Sequence, residues 1–168
     1  LSKAFTSEET PDTGPVSRPP PRLAPGEIRY VTPEGHAALR ADLARLREER
    51  ATAGELPEPG RDARLADIDR RLELAEATLS ALTVLGPEGA SEGTVAFGTW
   101  VTVEDENGAT TVWRIVGPDE ADPRRGLVSV HSPVAAALLG RETGDVVEVE
   151  RPGGTKELTV VEVRRTPS

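Results

Sequence analysis

The chain has no cysteine, no methionine, two histidines and five aromatic residues in 168 positions. Without thiols there is no disulfide framework, no thiolate nucleophile and no thiolate-bound metal. His36 and His131 alone cannot build a three-histidine zinc centre. With so few aromatics the core must come from Val, Leu, Ile and Ala, which argues against a large aromatic-lined pocket. No run of 18 apolar residues occurs, so no membrane-spanning helix is expected. The first residues are polar and lack the apolar stretch of a secretory signal, so the expected compartment is the cytoplasm. Lysine is also scarce: Lys3 and Lys156 are the only two among 20 basic residues.

What is abundant is acid, 29 Asp and Glu against those 20 bases. Six of the nine net negative charges fall after residue 86, and no segment is basic enough to grip a phosphate backbone on its own. Direct nucleic-acid binding is therefore a poor expectation.

Along the chain, residues 1–26 carry six prolines and almost no apolar periodicity, reading as a disordered, proline-rich arm. In the segment 27–85, Thr32 followed by Pro33 predicts a helix start, a hydroxyl cap and then a proline where its missing N–H costs nothing. Leu39, Leu43 and Leu46 follow at helical spacing, and GELPEPG (residues 54–60) must turn the chain. Leu65, Ile68, Leu72, Ala75, Leu79 and Leu82 then recur at 3-4-3-4-3, a heptad seam. Two such helices on a short connector run antiparallel, each arm roughly 30–36 Å long at 1.5 Å per residue. The expectation is a projecting antiparallel coiled coil; helices laid on a sheet would want wider apolar stripes.

Residues 86–93, GPEGASEG, read as a linker, and from residue 94 the hydrophobic period becomes two. Trp100–Val103 leads to Asn107-Gly108, the chemistry of a two-residue hairpin turn, and Thr111–Val116 returns. Leu127–Val130 is a third strand. Ser132 caps a short helix begun by Pro133 and ended by Gly140. Asp145–Glu150 and Leu158–Val163 form a last hairpin about Pro152-Gly153-Gly154. The expected fold class is α+β, with a helical hairpin followed by an antiparallel sheet at 94–168 carrying one short helix.

These words, in this order, resemble the GreA/GreB family of bacterial transcription elongation factors. SKAFT at residues 2–6 is similar to a GreB-type start, GEIRYVTPEGHAALRADLARL to the first helix and ADIDRRLELAEA to the second. FGTWVTVED, RIVGPDEAD, GLVSVHSPVAAALLG and TGDVVEVERPGG follow the C-terminal domain in register. The resemblance implies an FKBP-like C-terminal domain that docks on the rim of the secondary channel of bacterial RNA polymerase. It implies a coil inserted toward the active centre, and acids at the coil tip that share a Mg²⁺ ion with the polymerase while the transcript is cut. Hard carboxylate oxygens suit that ion. The protein would then be a regulator and not an enzyme, monomeric, with no cofactor of its own and contacting transcript and DNA only through the polymerase.

At the tip the sequence departs from the D-x-x-E-N form of cleavage-promoting members. ATAGELPEPGRDA (residues 51–63) stands there instead, and each arm is shorter than the family's usual one by roughly two to three turns, about 10–15 Å. Glu55, Glu58 and Asp62 are the candidate tip acids, with solvated turn residues as the plainer reading of all three. His131, Ser132 and Pro133 are the candidate docking residues, where the family typically has Asp-Ser-Pro; helix capping alone also accounts for Ser132 and Pro133. Asp119, Glu120 and Asp122 are read as a solvated acidic loop, and Trp100 and Trp113 as core or near-core residues on paired strands. The expectation is a polymerase-binding regulator with lost or altered cleavage stimulation. The alternatives are a conventional cleavage factor with an unusual acidic tip and, below it, a peptidyl-prolyl isomerase or an interaction adaptor. Fold alone does not decide among these.

Overall fold

Thr32 and Pro33 start the first helix as expected: Thr32 is extended and its hydroxyl oxygen accepts the Gly35 N–H at 3.1 Å. In the computed structural model, which describes residues 25–167, this helix, α1, spans Pro33–Gly54. A second helix, α2, returns over Arg61–Ala81. The proline-rich arm, apart from Pro25 and Gly26, lies outside the described residues.

The two helices pack on each other and not along the sheet. Ile68, Leu43 and Ala53 are buried at their seam, while Leu39, Leu46, Leu65, Leu72, Ala75 and Leu79 are half-buried. Around that thin seam run ion pairs between the helices: Arg47 with Glu76 at 2.8 Å, Arg50 with Asp69 at 2.5 Å and Arg64 with Glu49 at 3.1 Å. All are exposed to solvent, so each contributes little. At 22 residues α1 is about 33 Å long.

The base of the hairpin holds something the helical periodicity did not announce. Strand β1 (Arg29–Val31) precedes α1, strand β2 (Leu82–Val84) follows α2, and the two pair in parallel. Leu82, expected at the end of the second helical seam, is instead the extended residue that terminates it. Residues 86–93 include a turn of 3-10 helix at Pro87–Gly89 with Pro87 buried.

Strands β3 (Trp100–Asp105), β4 (Thr110–Val116), β5 (Leu127–Ser129), β6 (Val146–Arg151) and β7 (Gly154–Arg164) form one sheet ordered β5-β4-β3-β7-β6. Helix α3 (Pro133–Leu138) packs on one face. Val101, Val103, Ile115, Val147, Val149, Leu158 and Val160 alternate inward to meet Ala135 and Leu138 of α3, an aliphatic core as the composition required. Two expectations are corrected. The sheet is not wholly antiparallel, because β4 and β5 run parallel, joined by a ten-residue crossover at 117–126. The β3–β4 connection is not a two-residue Asn-Gly turn: Gly108 N–H closes on the Asp105 carbonyl at 2.9 Å, putting Glu106 and Asn107 at the centre and Gly108 after them at φ 77°. Asp105 selects that longer turn by accepting the N–H groups of Asn107 and Ala109, each at 3.0 Å. The FKBP-like designation is not carried by this sheet order alone.

Candidate functional site: the hairpin tip, the β5–α3 corner and the joint between them

At the tip, Glu55 is the residue on which α1 ends, and its N–H bonds the Thr52 carbonyl at 3.2 Å. Glu58 and Asp62 are both drawn to Arg61, at 3.1 Å and 3.4 Å respectively. The two acids also meet each other. Partial desolvation first, then the hydrogen bond and charge of Asp62, push the Glu58 carboxyl above the usual carboxylate range. Leu56 is exposed between Glu55 and Glu58. Among the described residues no group of three or more His, Asp or Glu is arranged to hold a metal ion. The tip therefore does not fit a magnesium site of its own: the guanidinium already sits on two of its three carboxylates, and a cation would have to displace it.

The corner between β5 and α3 holds the second candidate group. Ser132 caps α3 by accepting the Ala135 N–H at 3.1 Å, and Pro133 occupies the first helical position. His131 is exposed, with its N–H on the Ser129 hydroxyl at 3.2 Å and its Nε2 3.7 Å from a Glu27 carboxylate oxygen. Glu27 lies just before β1, so this corner faces the root of the hairpin. It is about one helix length from the tip acids, and the fold does not bring the two groups together.

Between them lies a joint made of residues read quite differently from sequence. Asp119 is not a solvated loop acid; its carboxylate takes both Nε, at 2.5 Å, and Nη2 of Arg29, and the side chains are 5% and 11% exposed. Glu120 accepts the Thr32 N–H at 2.7 Å and the Thr32 hydroxyl, together with the Gly117 N–H at 3.3 Å. Asp122 caps the 3-10 turn at Pro123–Arg125 through the Arg124 N–H at 3.1 Å. On the outer face of the sheet Arg114 is buried, donating to the Gly98 carbonyl at 3.1 Å and to Glu34 at 2.9 Å, with its guanidinium 5.4 Å from the Trp100 ring centre. Desolvation works to raise the Glu34 carboxyl, but hydrogen bonds from its own backbone and from Arg114 outweigh it and hold the group below its ordinary value. Tyr30 and Phe97 add a tilted ring contact at 5.9 Å. Trp113 faces the core and Trp100 the opposite side. The sequence signal that could have found this joint is the placement of Asp119 and Glu120 just beyond Gly117-Pro118, after a strand end as apolar as Ile115-Val116.

Comparison with known proteins decides what such an assembly is. A family model described as "Transcription elongation factor, GreA/GreB, C-term" matches residues 90–165. The chain is 38% identical over 153 residues to the transcription elongation factor GreB of Yersinia pestis, covering 82% of this chain and 90% of that one. The chain belongs to the GreA/GreB family. GreB of Pseudomonas aeruginosa is also 38% identical, over 164 residues, with 89% and 96% of the two chains covered. Among solved structures, the GreA factor homolog 1 (Gfh1) protein of Thermus thermophilus is 26% identical, covers 82% of this chain and 99% of its own, and superposes with a TM-score of 0.40. Within this GreA/GreB frame the hairpin, the β5–α3 corner and the joint are three parts of one Gre-type factor.

Proposed function

We propose that this Gre-family factor binds bacterial RNA polymerase at the secondary channel and enters it with the hairpin, without delivering conventional transcript cleavage. The family membership supports the polymerase as partner. The observation that carries the altered activity is Arg61 lying between Glu58 and Asp62 at the tip. A tip that helps bind Mg²⁺ needs free, hard oxygen ligands aimed at one point. Here the Arg61 guanidinium, which remains protonated throughout the working range, already contacts two of the three acids.

The β5–α3 corner serves as the docking element. His131 and Pro133 are exposed there, and Ser132 holds the start of α3 so that the corner keeps its shape. Such a factor is a regulator rather than an enzyme, and it works in the cytoplasm alongside the polymerase. Carboxylates act on a metal only by direct or one-water contact, so a coil of about 33 Å ending in an arginine-bridged pair would occupy the channel more readily than it would assist hydrolysis. Its presence would compete with true cleavage factors for the same channel.

The test uses purified, artificially backtracked elongation complexes with Mg²⁺. Expected is binding that weakens with changes at Ser132 and Pro133, with no shortening of the transcript. Robust cleavage that disappears in Glu55→Ala or Glu58→Ala would instead establish the alternative, a conventional cleavage factor working through an unusual acidic tip. Absence of binding to polymerase would overturn both readings.

A further inference from the structure

We infer that Glu120 is the positioning residue that sets the angle at which the hairpin leaves the sheet domain. One carboxylate joins two bodies: its oxygens take the N–H and hydroxyl of Thr32, the capping residue of α1, and the N–H of Gly117 in its own loop. The Thr32 hydroxyl in turn holds the Gly35 N–H. The first turn of α1 is thus tied, through Thr32, to the loop that follows β4.

The space around that carboxylate is shaped for it. A Cβ on Gly35 would overlap the Glu120 carboxylate, and a Cβ on Gly117 would overlap the Tyr30 carbonyl oxygen of β1. Gly117, in the loop after β4, is required by the approach of backbone, and Gly35 leaves the Glu120 carboxylate its place in a helix turn where alanine would otherwise be the better helix former. Arg29 with Asp119 and Arg114 with Glu34 flank the same joint. The hydrogen bonds along it span 80 to 90 positions of sequence.

The consequence is one of leverage. With α1 about 33 Å long, each 10° of tilt at its base moves the tip by about 6 Å, more than the reach of any direct contact. The site that decides where Glu55, Glu58 and Asp62 arrive is therefore at the opposite end of the hairpin. That consequence rests on the proposed insertion into the polymerase channel; the angle itself belongs to the free chain.

The full chain contains no cysteine, so two introduced ones carry spin labels without competition: Ala63→Cys near the tip and Glu148→Cys on β6. Electron–electron dipolar spectroscopy on the free protein should give one narrow distance distribution. Glu120→Ala should broaden it and displace its centre by several ångströms. Gly35→Ala, which keeps Glu120 but crowds it from the other side, should do the same. Glu120→Gln should keep the distribution narrow, because its amide oxygen still accepts the two N–H groups and its NH2 donates to the Thr32 hydroxyl oxygen, whose proton turns away. Circular dichroism and tryptophan fluorescence identify the variants that remain folded, and any one of them suffices. A narrow, undisplaced distribution in a folded Glu120→Ala or Gly35→Ala protein overturns the inference. If the unmodified chain does not bind polymerase, the proposed function falls while the distance result stands.

Discussion

Arg114 is the buried cation of the joint, and replacing it by alanine separates two ways in which such a residue stabilises a fold. The side chain makes three contacts: the Gly98 carbonyl at 3.1 Å, the Trp100 ring at 5.4 Å and Glu34 at 2.9 Å. A hydrogen bond from a charged donor is worth roughly 1.5–3 kcal/mol and a cation–ring contact about 0.5–1 kcal/mol. The ion pair adds much less. The Glu34 side chain is 66% exposed, so water screens the pair and rehydrates the acid once it is released. Arg114→Ala should therefore cost about 2–4 kcal/mol, and Glu34→Ala less than about 1 kcal/mol. For a chain of this size the first corresponds to about 5–15 °C in melting temperature. Urea titration followed by tryptophan fluorescence suits the measurement, because Trp100 and Trp113 both lie on the sheet. Should Glu34→Ala prove as costly as Arg114→Ala, the ion pair would be the dominant contact and the reasoning from exposure would be refuted.

Ile68, 1% exposed at the hairpin seam, should lose about 2–4 kcal/mol on change to alanine, read as reduced helicity at 222 nm with the sheet's tryptophan signal retained. Ser132→Ala should cost about 1 kcal/mol through the lost α3 cap, whereas Ser132→Asp should retain stability because aspartate also caps. Chemical denaturation of the two variants checks this. The hydrogen bond from Lys156 at 2.7 Å, followed by those from the Ala109 and Asn107 N–H groups, holds the Asp105 carboxyl below its ordinary range. The unfolded chain therefore binds more protons there than the fold does. Stability from this group is full above its unfolded value near pH 4 and is lost as the pH falls through the folded one. Urea midpoints between pH 7 and pH 3 should fall less steeply in Asp105→Asn. At the tip, Asp62→Asn should bring the raised Glu58 titration down toward the usual range, leaving the part due to desolvation, as carbon-detected NMR of the carboxyl would show. An unchanged midpoint would mean that the two acids do not interact.

Much of this molecule is written in windows of ten residues or fewer. Thr32-Pro33 and Ser132-Pro133 announce their helices because a capping hydroxyl and a fixed proline dihedral act on the next turn alone. The heptad spacing through Leu65, Ile68 and Leu72 announces the hairpin, and the alternation of Val147 and Val149 with acids announces a strand with one buried face. Those are properties of period and local geometry, and the sequence determines them unaided. The Asn107-Gly108 turn departs from the two-residue form even at this range, since Asp105 offers the backbone a competing acceptor.

Tertiary structure alone decided the joint and, with it, the aim of the hairpin. The apolar strand end at Ile115-Val116 hints that Asp119 and Glu120 are buried but does not say against what; their partners Arg29 and Thr32 stand 90 and 88 residues away. The same holds for Arg114 with Glu34, and for the parallel placement of β5 on β4. At the tip the acids were legible as residues, but their meaning depended on Arg61 settling between Glu58 and Asp62. A carboxylate's chemistry is set by what faces it across the fold, and facing is a property that sequence neighbours do not carry.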